Sequence, residues 1–212
     1  MNPSELAKKI REALLYYGFK PREPRELYVT EVIGCLRKAY FNVKFNANPV
    51  VESSDAVFGK LVHLALPVIL KDILKAEFEV PMEHDLGNGW ILRGRADAVT
   101  EDAVYEFKFS SPYSDVKPLY YLQVNTYAHL LDKNEFYLII IDKRTLNVDV
   151  TKGQTDDKAF DTVVERAKTV LDSLKADKPP FGPNFQWECN GCPYNIICLR
   201  WKEWINQTPL KP

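Results

Sequence analysis

The sequence predicts an α/β fold, a mixed sheet flanked by helices, on three observations. Helical spacing dominates roughly residues 4–75. Short runs with strand-like alternation fill the middle. Beyond them helix and strand segments alternate, up to a tail dense in proline, aromatics and cysteine.

The elements follow in order. Residues 4–17 have the spacing of an amphipathic helix, with Ser4 as N-cap and Gly18 as its stop. A proline-rich spacer covers residues 21–24. Thr30 opens a second helical stretch, TEVIGCLRKAYFNVKF, which contains Cys35. A third covers 54–75 and contains His63, with Pro67 expected to kink or divide it. EFEVPM, WILRGRADAVT and DAVYEFKFS then read as three strands, the last two joined by a tight turn at residues 100–102. PLYYLQVNTYAHLL returns to helical spacing. EFYLIIID and TLNVDVT are two further strands, and residues 156–176 form a final long helix. Beyond it lies KPPFGPNFQWECNGCPYNIICLRW. There is no internal repeat.

At 212 residues, 46% hydrophobic and 27% charged, the chain has the material for one domain with a real core. The net charge of −1 gives no global attraction to nucleic acid, so any such contact must come from a local basic cleft. The longest apolar runs, such as 136–141, are far too short to span a bilayer, and the N-terminal helix carries charges throughout. The expectation is a cytoplasmic protein without membrane association. In that reducing setting four cysteines read as metal ligands or buried thiols, not disulfides.

Alternation along DAVYEFKFS puts Val104, Glu106, Lys108 and Ser110 on one face. Tyr105, Phe107 and Phe109 lie on the other, expected to be the core face. On the preceding strand Arg93, Arg95 and Asp97 share a face opposite Leu92, Gly94, Ala96 and Ala98. A hairpin between the two strands can set Asp97 across from Glu106. Two carboxylates on rigid strands can hold Mg²⁺ or Mn²⁺ through hard oxygen ligands. Such an ion activates water and neutralises charge growing on a phosphate, and a lysine beside it can orient the water or stabilise that charge. Taken singly, Glu-x-Lys on a strand is ordinarily a solvated salt bridge. The companions are His63, four residues after Gly59 on a helix, and Gln123 and Tyr127, also four apart.

In chain order, His63, Gly94-Arg95-Ala96-Asp97, Glu106-Phe107-Lys108 and Gln123-x-x-x-Tyr127 resemble the motif series of the RecB-type branch of the PD-(D/E)xK nucleases. That resemblance implies a nuclease core with His63, Asp97 and Glu106 at the metal and Lys108 catalytic, alongside Asp97 and Glu106. It further implies Gln123 and Tyr127 shaping the site and holding DNA. Arg93, Arg95 and Lys60 are further candidate DNA contacts. Tyr120 and Tyr121 could stack on unpaired bases, though core packing is the commoner use.

Cys189, Cys192 and Cys198 form C-x2-C-x5-C, with Cys35 far upstream. A C-x2-C pair brings two thiolates to one metal centre, and Gly191 and Pro193 suit the loop; zinc and iron–sulfur both satisfy the spacing. The split set is similar to the iron–sulfur staple of cluster-bearing RecB-type nucleases, which moves the expectation to a cluster, 4Fe–4S ahead of 2Fe–2S.

Small size, motifs and cysteines together resemble the CRISPR-associated RecB-like exonuclease family, the fourth of the Cas families. The resemblance implies an exonuclease for single-stranded DNA or DNA ends, acting in spacer acquisition beside the CRISPR integrase proteins and open to oligomerisation. It divides the single domain into an N-terminal helical part (1–50), a nuclease core (51–178) and a C-terminal iron–sulfur segment (179–212). No P-loop motor is encoded. Alternative readings are a RecB-type nuclease of general DNA repair, a nuclease fold with structural zinc, and a non-catalytic iron–sulfur module binding DNA or a partner.

Overall fold

The computed structural model describes residues 2–17, 21–47, 54–110 and 117–198. Helix α1, Pro3–Tyr16, is capped two residues earlier than expected. Asn2, not Ser4, supplies the cap, accepting the Glu5 N–H at 2.9 Å. Gly18 lies outside the described residues. Strand β1, Glu26–Tyr28, follows the proline spacer, and the sequence reading had no strand there.

The expected helix from Thr30 is two. Helix α2 covers Val29–Val32 and α3 covers Leu36–Lys44, with Cys35 as the extended N-cap between them. Arg166 causes the break. It donates to the carbonyls of Val32 at 2.6 Å and Gly34 at 2.7 Å, taking acceptors that a continuous helix would pair internally. Asn184 adds donors to Ile33 and Gly34, both at 3.1 Å. Helix α4, Ser54–Leu70, ends short of the expected 75 and holds Pro67 inside it, so the proline does not divide it.

Strands β2 (Glu77–Gly87) and β3 (Trp90–Val99) form a hairpin around Asn88 and Gly89, whose φ of 54° and 74° are the left-handed pair such a turn requires. Strand β4 (Ala103–Ser110) turns back after residues 100–102 as expected. Helix α5 (Lys117–Leu130), β5 (Glu135–Asp142), β6 (Val148–Gln154) and α6 (Asp157–Lys175) complete the order.

The six-stranded sheet runs β1-β3-β4-β5-β6, with β2 also paired to β3. Pairing on β3 changes hands along its length. Its first half is flanked by β2 and parallel β1, up to Tyr28 against Arg93; β4 joins only at Ala98 and Val99. Between Arg93 and Ala98 one edge of β3 is therefore free, and the sheet forks there.

Both faces of the sheet are covered, which corrects the expectation of a single core face carrying Tyr105 and Phe107. The larger core joins Leu27, Leu92, Ala96, Val104, Phe136 and Leu138 to α3, α5 and α6. A smaller one packs Ala98, Phe107 and Ile139 under Leu66 of α4. Parallel pairing of β4 with β5 is the physical reason, since such strands are sandwiched between helices. Among the described residues no helix is long and apolar enough to cross a membrane.

Candidate active site

The fork in the sheet builds the site. Ala96 packs in the larger core and Ala98 in the smaller, so the regular alternation of β3 breaks at Asp97. The freed Asp97 carboxylate crosses to β4, where its Oδ2 accepts the Phe107 N–H at 2.7 Å. One side chain thus replaces a missing ladder bond and fixes the spacing of Asp97 from Glu106. Its other oxygen lies 3.0 Å from His63 Nδ1 on α4. That hydrogen bond holds the imidazole above its usual pKa, against the opposing effect of burial.

Glu106 is 1% exposed. Its Oε1 takes both Lys108 Nζ at 2.6 Å and Gln123 Nε2 at 2.7 Å, while Oε2 is buried without a partner. Burial pushes its carboxyl up to about 7, although Lys108 pulls the other way. Burial is the largest single influence on the Lys108 pKa and lowers it, yet the Glu106 charge, the hydrogen bond to Glu106 and the Asp97 charge together outweigh it and the net movement is upward. Gln123 also donates to Tyr127 Oη at 3.0 Å, so the pair four apart on α5 acts as one brace behind Glu106. Gly94 admits that brace. A Cβ there would lie 2.6 Å from the Tyr127 ring.

These residues surround one cavity of about 780 Å³, also lined by Lys60, Arg93, Arg95 and Glu79. Arg93 is engaged by Glu26 and, at 3.0 Å, by Glu83. Tyr120 borders the adjoining cavity with Lys108, whose Nζ stands 5.0 Å from its ring centre. Tyr121 packs edge-on against Phe136 and lines a separate cleft.

Glu79 is the site residue that sequence reasoning missed. Phe78 pairs with Ala98 and Val80 with Ala96, so Glu79 sits opposite Asp97. The ligand atoms of His63, Glu79 and Asp97 lie within 4.8 Å of one another. Register counted back from the Asn88-Gly89 turn sets Glu79 against Ala98, and only the irregularity between Asp85 and Gly87, which the sequence does not signal, moves it to Asp97. Three carboxylates and an imidazole on rigid elements, with the buried Glu106 Oε2 lacking a donor, fit a hard divalent cation.

The cysteines gather where α2, α3 and the tail meet. Cys35 starts α3, and Cys189 ends a short 3-10 helix, Gln186–Cys189. Gly191, at φ 68°, makes the loop to Cys192. Backbone N–H groups of Arg37 and Lys38 point at the Cys35 sulfur, and Arg37 Nη1 donates to Cys198 Sγ at 3.3 Å. No three of the four sulfurs come within 4.8 Å of one another among the described residues. A tetrahedral zinc with bonds of about 2.3 Å would set its sulfurs about 3.8 Å apart. Four thiols at this junction suit either a zinc ion or an iron–sulfur cluster.

Fold and site together define a nuclease. Residues 70–199 match the family model of the PD-(D/E)XK nuclease superfamily, and the chain belongs to that superfamily, whose members use divalent metal ions. It is similar to the CRISPR-associated exonuclease Cas4 of Saccharolobus solfataricus, at 26% identity over 204 residues, covering 91% of this chain and 95% of that one. Among solved structures, SSO0001 superposes with a TM-score of 0.71 at 22% identity over 91% of this chain and 96% of its own. The alkaline exonuclease of Laribacter hongkongensis shares the fold at TM-score 0.54 and 11% identity, over 78% of this chain and 93% of its own.

Proposed function

We propose that this chain is a divalent-metal-dependent DNA exonuclease that prefers single strands and trims DNA for CRISPR spacer acquisition beside the integrase proteins. The observation that carries the chemistry is the arrangement of Asp97, His63 and the unpartnered Glu106 Oε2 beside Lys108 Nζ, 2.6 Å from Glu106 Oε1. His63, Asp97 and Glu106 would hold Mn²⁺ or Mg²⁺, which when bound supplies Lewis-acid activation of water and neutralises phosphate charge. Lys108 stands where it can orient the attacking water and stabilise charge developing on the phosphate. Gln123 and Tyr127 fix Glu106 from behind. Lys60 and Arg95 line the cavity where phosphates of the strand would pass.

The spacer-acquisition role is supported by the similarity to the Cas4 exonuclease along nearly the whole of both chains. The cysteines are proposed to hold an iron–sulfur cluster that clasps the α2–α3 junction to the tail. It is a structural role, with no electron transfer implied. Anaerobically purified protein should absorb in the visible with iron bound, and should degrade end-labelled single strands faster than duplex in Mn²⁺. Colourless protein carrying zinc would remove the cluster. Equal rates on both substrates would remove the strand preference.

A further inference from the structure

We propose that Glu79 is a ligand of the divalent cation and that the cation and Arg95 compete for its carboxylate, so that loading the site releases Arg95 to a DNA phosphate. The inference rests on the nuclease reading and adds to it a coupling between metal and substrate.

Glu79 holds a left-handed backbone conformation, φ 58°, near the start of β2, directly across from Asp97. It thereby joins His63 and Asp97 with ligand atoms within 4.8 Å. Glu106 lines the same cavity and keeps Oε2 buried without a donor. That orphaned oxygen is an independent sign that a cation belongs there, because Lys108 and Gln123 both go to Oε1.

Arg95 now holds Glu79, its Nε 2.8 Å from Oε2, with side chains 65% and 35% exposed. An exposed pair of this kind is weakly held. A dication gathering several carboxylates competes for the same oxygen on better terms. The guanidinium it displaces stays on the cavity wall and has a planar fork that suits a phosphate. The metal-free site would thus keep Arg95 occupied, and the loaded site would present it.

The two residues then give effects of opposite sign. Full-length protein, purified anaerobically, is titrated with MnCl2 by calorimetry, and its affinity for a fluorescent single strand is measured in EDTA. Glu79→Gln should weaken Mn²⁺ binding by roughly tenfold or more and, by freeing Arg95, tighten DNA binding without metal. Arg95→Ala should tighten Mn²⁺ binding without raising DNA affinity in EDTA. Glu77→Gln, an exposed neighbour on the same strand, should match wild type in both. Wild type that binds Mn²⁺ with Glu79→Gln binding it equally well overturns the proposal alone, as does an Arg95→Ala variant with weakened Mn²⁺ binding. Wild type that binds no Mn²⁺ removes the nuclease reading with it.

Discussion

Glu106 shows how one residue couples proton, cation and stability. Its carboxyl ionises at about 7 in the metal-free fold because burial opposes the charge, against 4.5 for the free side chain. The unfolded chain therefore loses this proton first, and the metal-free fold loses stability as pH rises from about 4.5 through 7, by roughly 3 kcal/mol. His63 moves stability the same way. Its raised pKa gives a stabilisation that is complete below the unfolded value and lost as pH rises through the folded one. In EDTA the urea midpoint should fall between pH 5 and 8, with a shallower fall in Glu106→Gln. Proton and cation compete at Glu106, so Mn²⁺ affinity should climb across the same window. Glu-x-Lys on a strand alone reads as a solvated salt bridge; it was the series with His63, Asp97, Gln123 and Tyr127 that marked these residues as candidates, and the fold gathers all six around one cavity. Glu79 was not legible, because a non-glycine residue with positive φ leaves no mark in an alternating EFEVPM run.

Among the elements, the fork between β1, β3 and β4 matters most. The strands of the middle region were legible from period-two alternation. The three-residue β1 was not, since so short a run has no periodicity, yet its departure from β3 opens the edge that Asp97 fills. The core face was misassigned for a related reason. β4 reads as aromatic on one face and, with Glu106, Lys108 and Ser110 beside Val104, as mostly polar on the other, and only the crossover connection reveals the second helical layer. Contact between β3 and α5 yields a direct test. Gly94→Ala would place a methyl 2.6 Å from the Tyr127 ring. It should cost about 1–3 kcal/mol as an overpacking change, and should reduce cleavage by displacing the Gln123–Glu106 brace. The α2–α3 break depends on α6. Arg166→Ala strips donors from the carbonyls of Val32, Ile33 and Gly34. Thermal melting should drop by an amount equivalent to roughly 2–4 kcal/mol, with weaker visible absorbance because Cys35 follows that break.

Over the whole molecule, the chain carries a net charge of −1, so strand binding has to be local to the cavity that Lys60 and Arg95 line. Lys60→Ala should lower DNA affinity about equally across sequences and reduce the salt slope by about one unit or less. Spacing marked Cys189 and Cys192 as a pair, and only the family resemblance joined Cys35 to them; the position of Cys35 at a helix start follows from Arg166, which no local pattern reveals. The cavity between α4, β3 and β4 is proposed to hydrolyse DNA with a divalent cation held at Asp97 and Glu106 beside Lys108. The most direct measurement is the rate at which labelled single-stranded DNA is cleaved in Mn²⁺ by wild type, Glu106→Ala and Lys108→Ala, each verified as folded. Wild type should cleave, EDTA should stop it, and each variant should lose roughly 100-fold or more. Cleavage persisting undiminished in both variants would contradict that proposal.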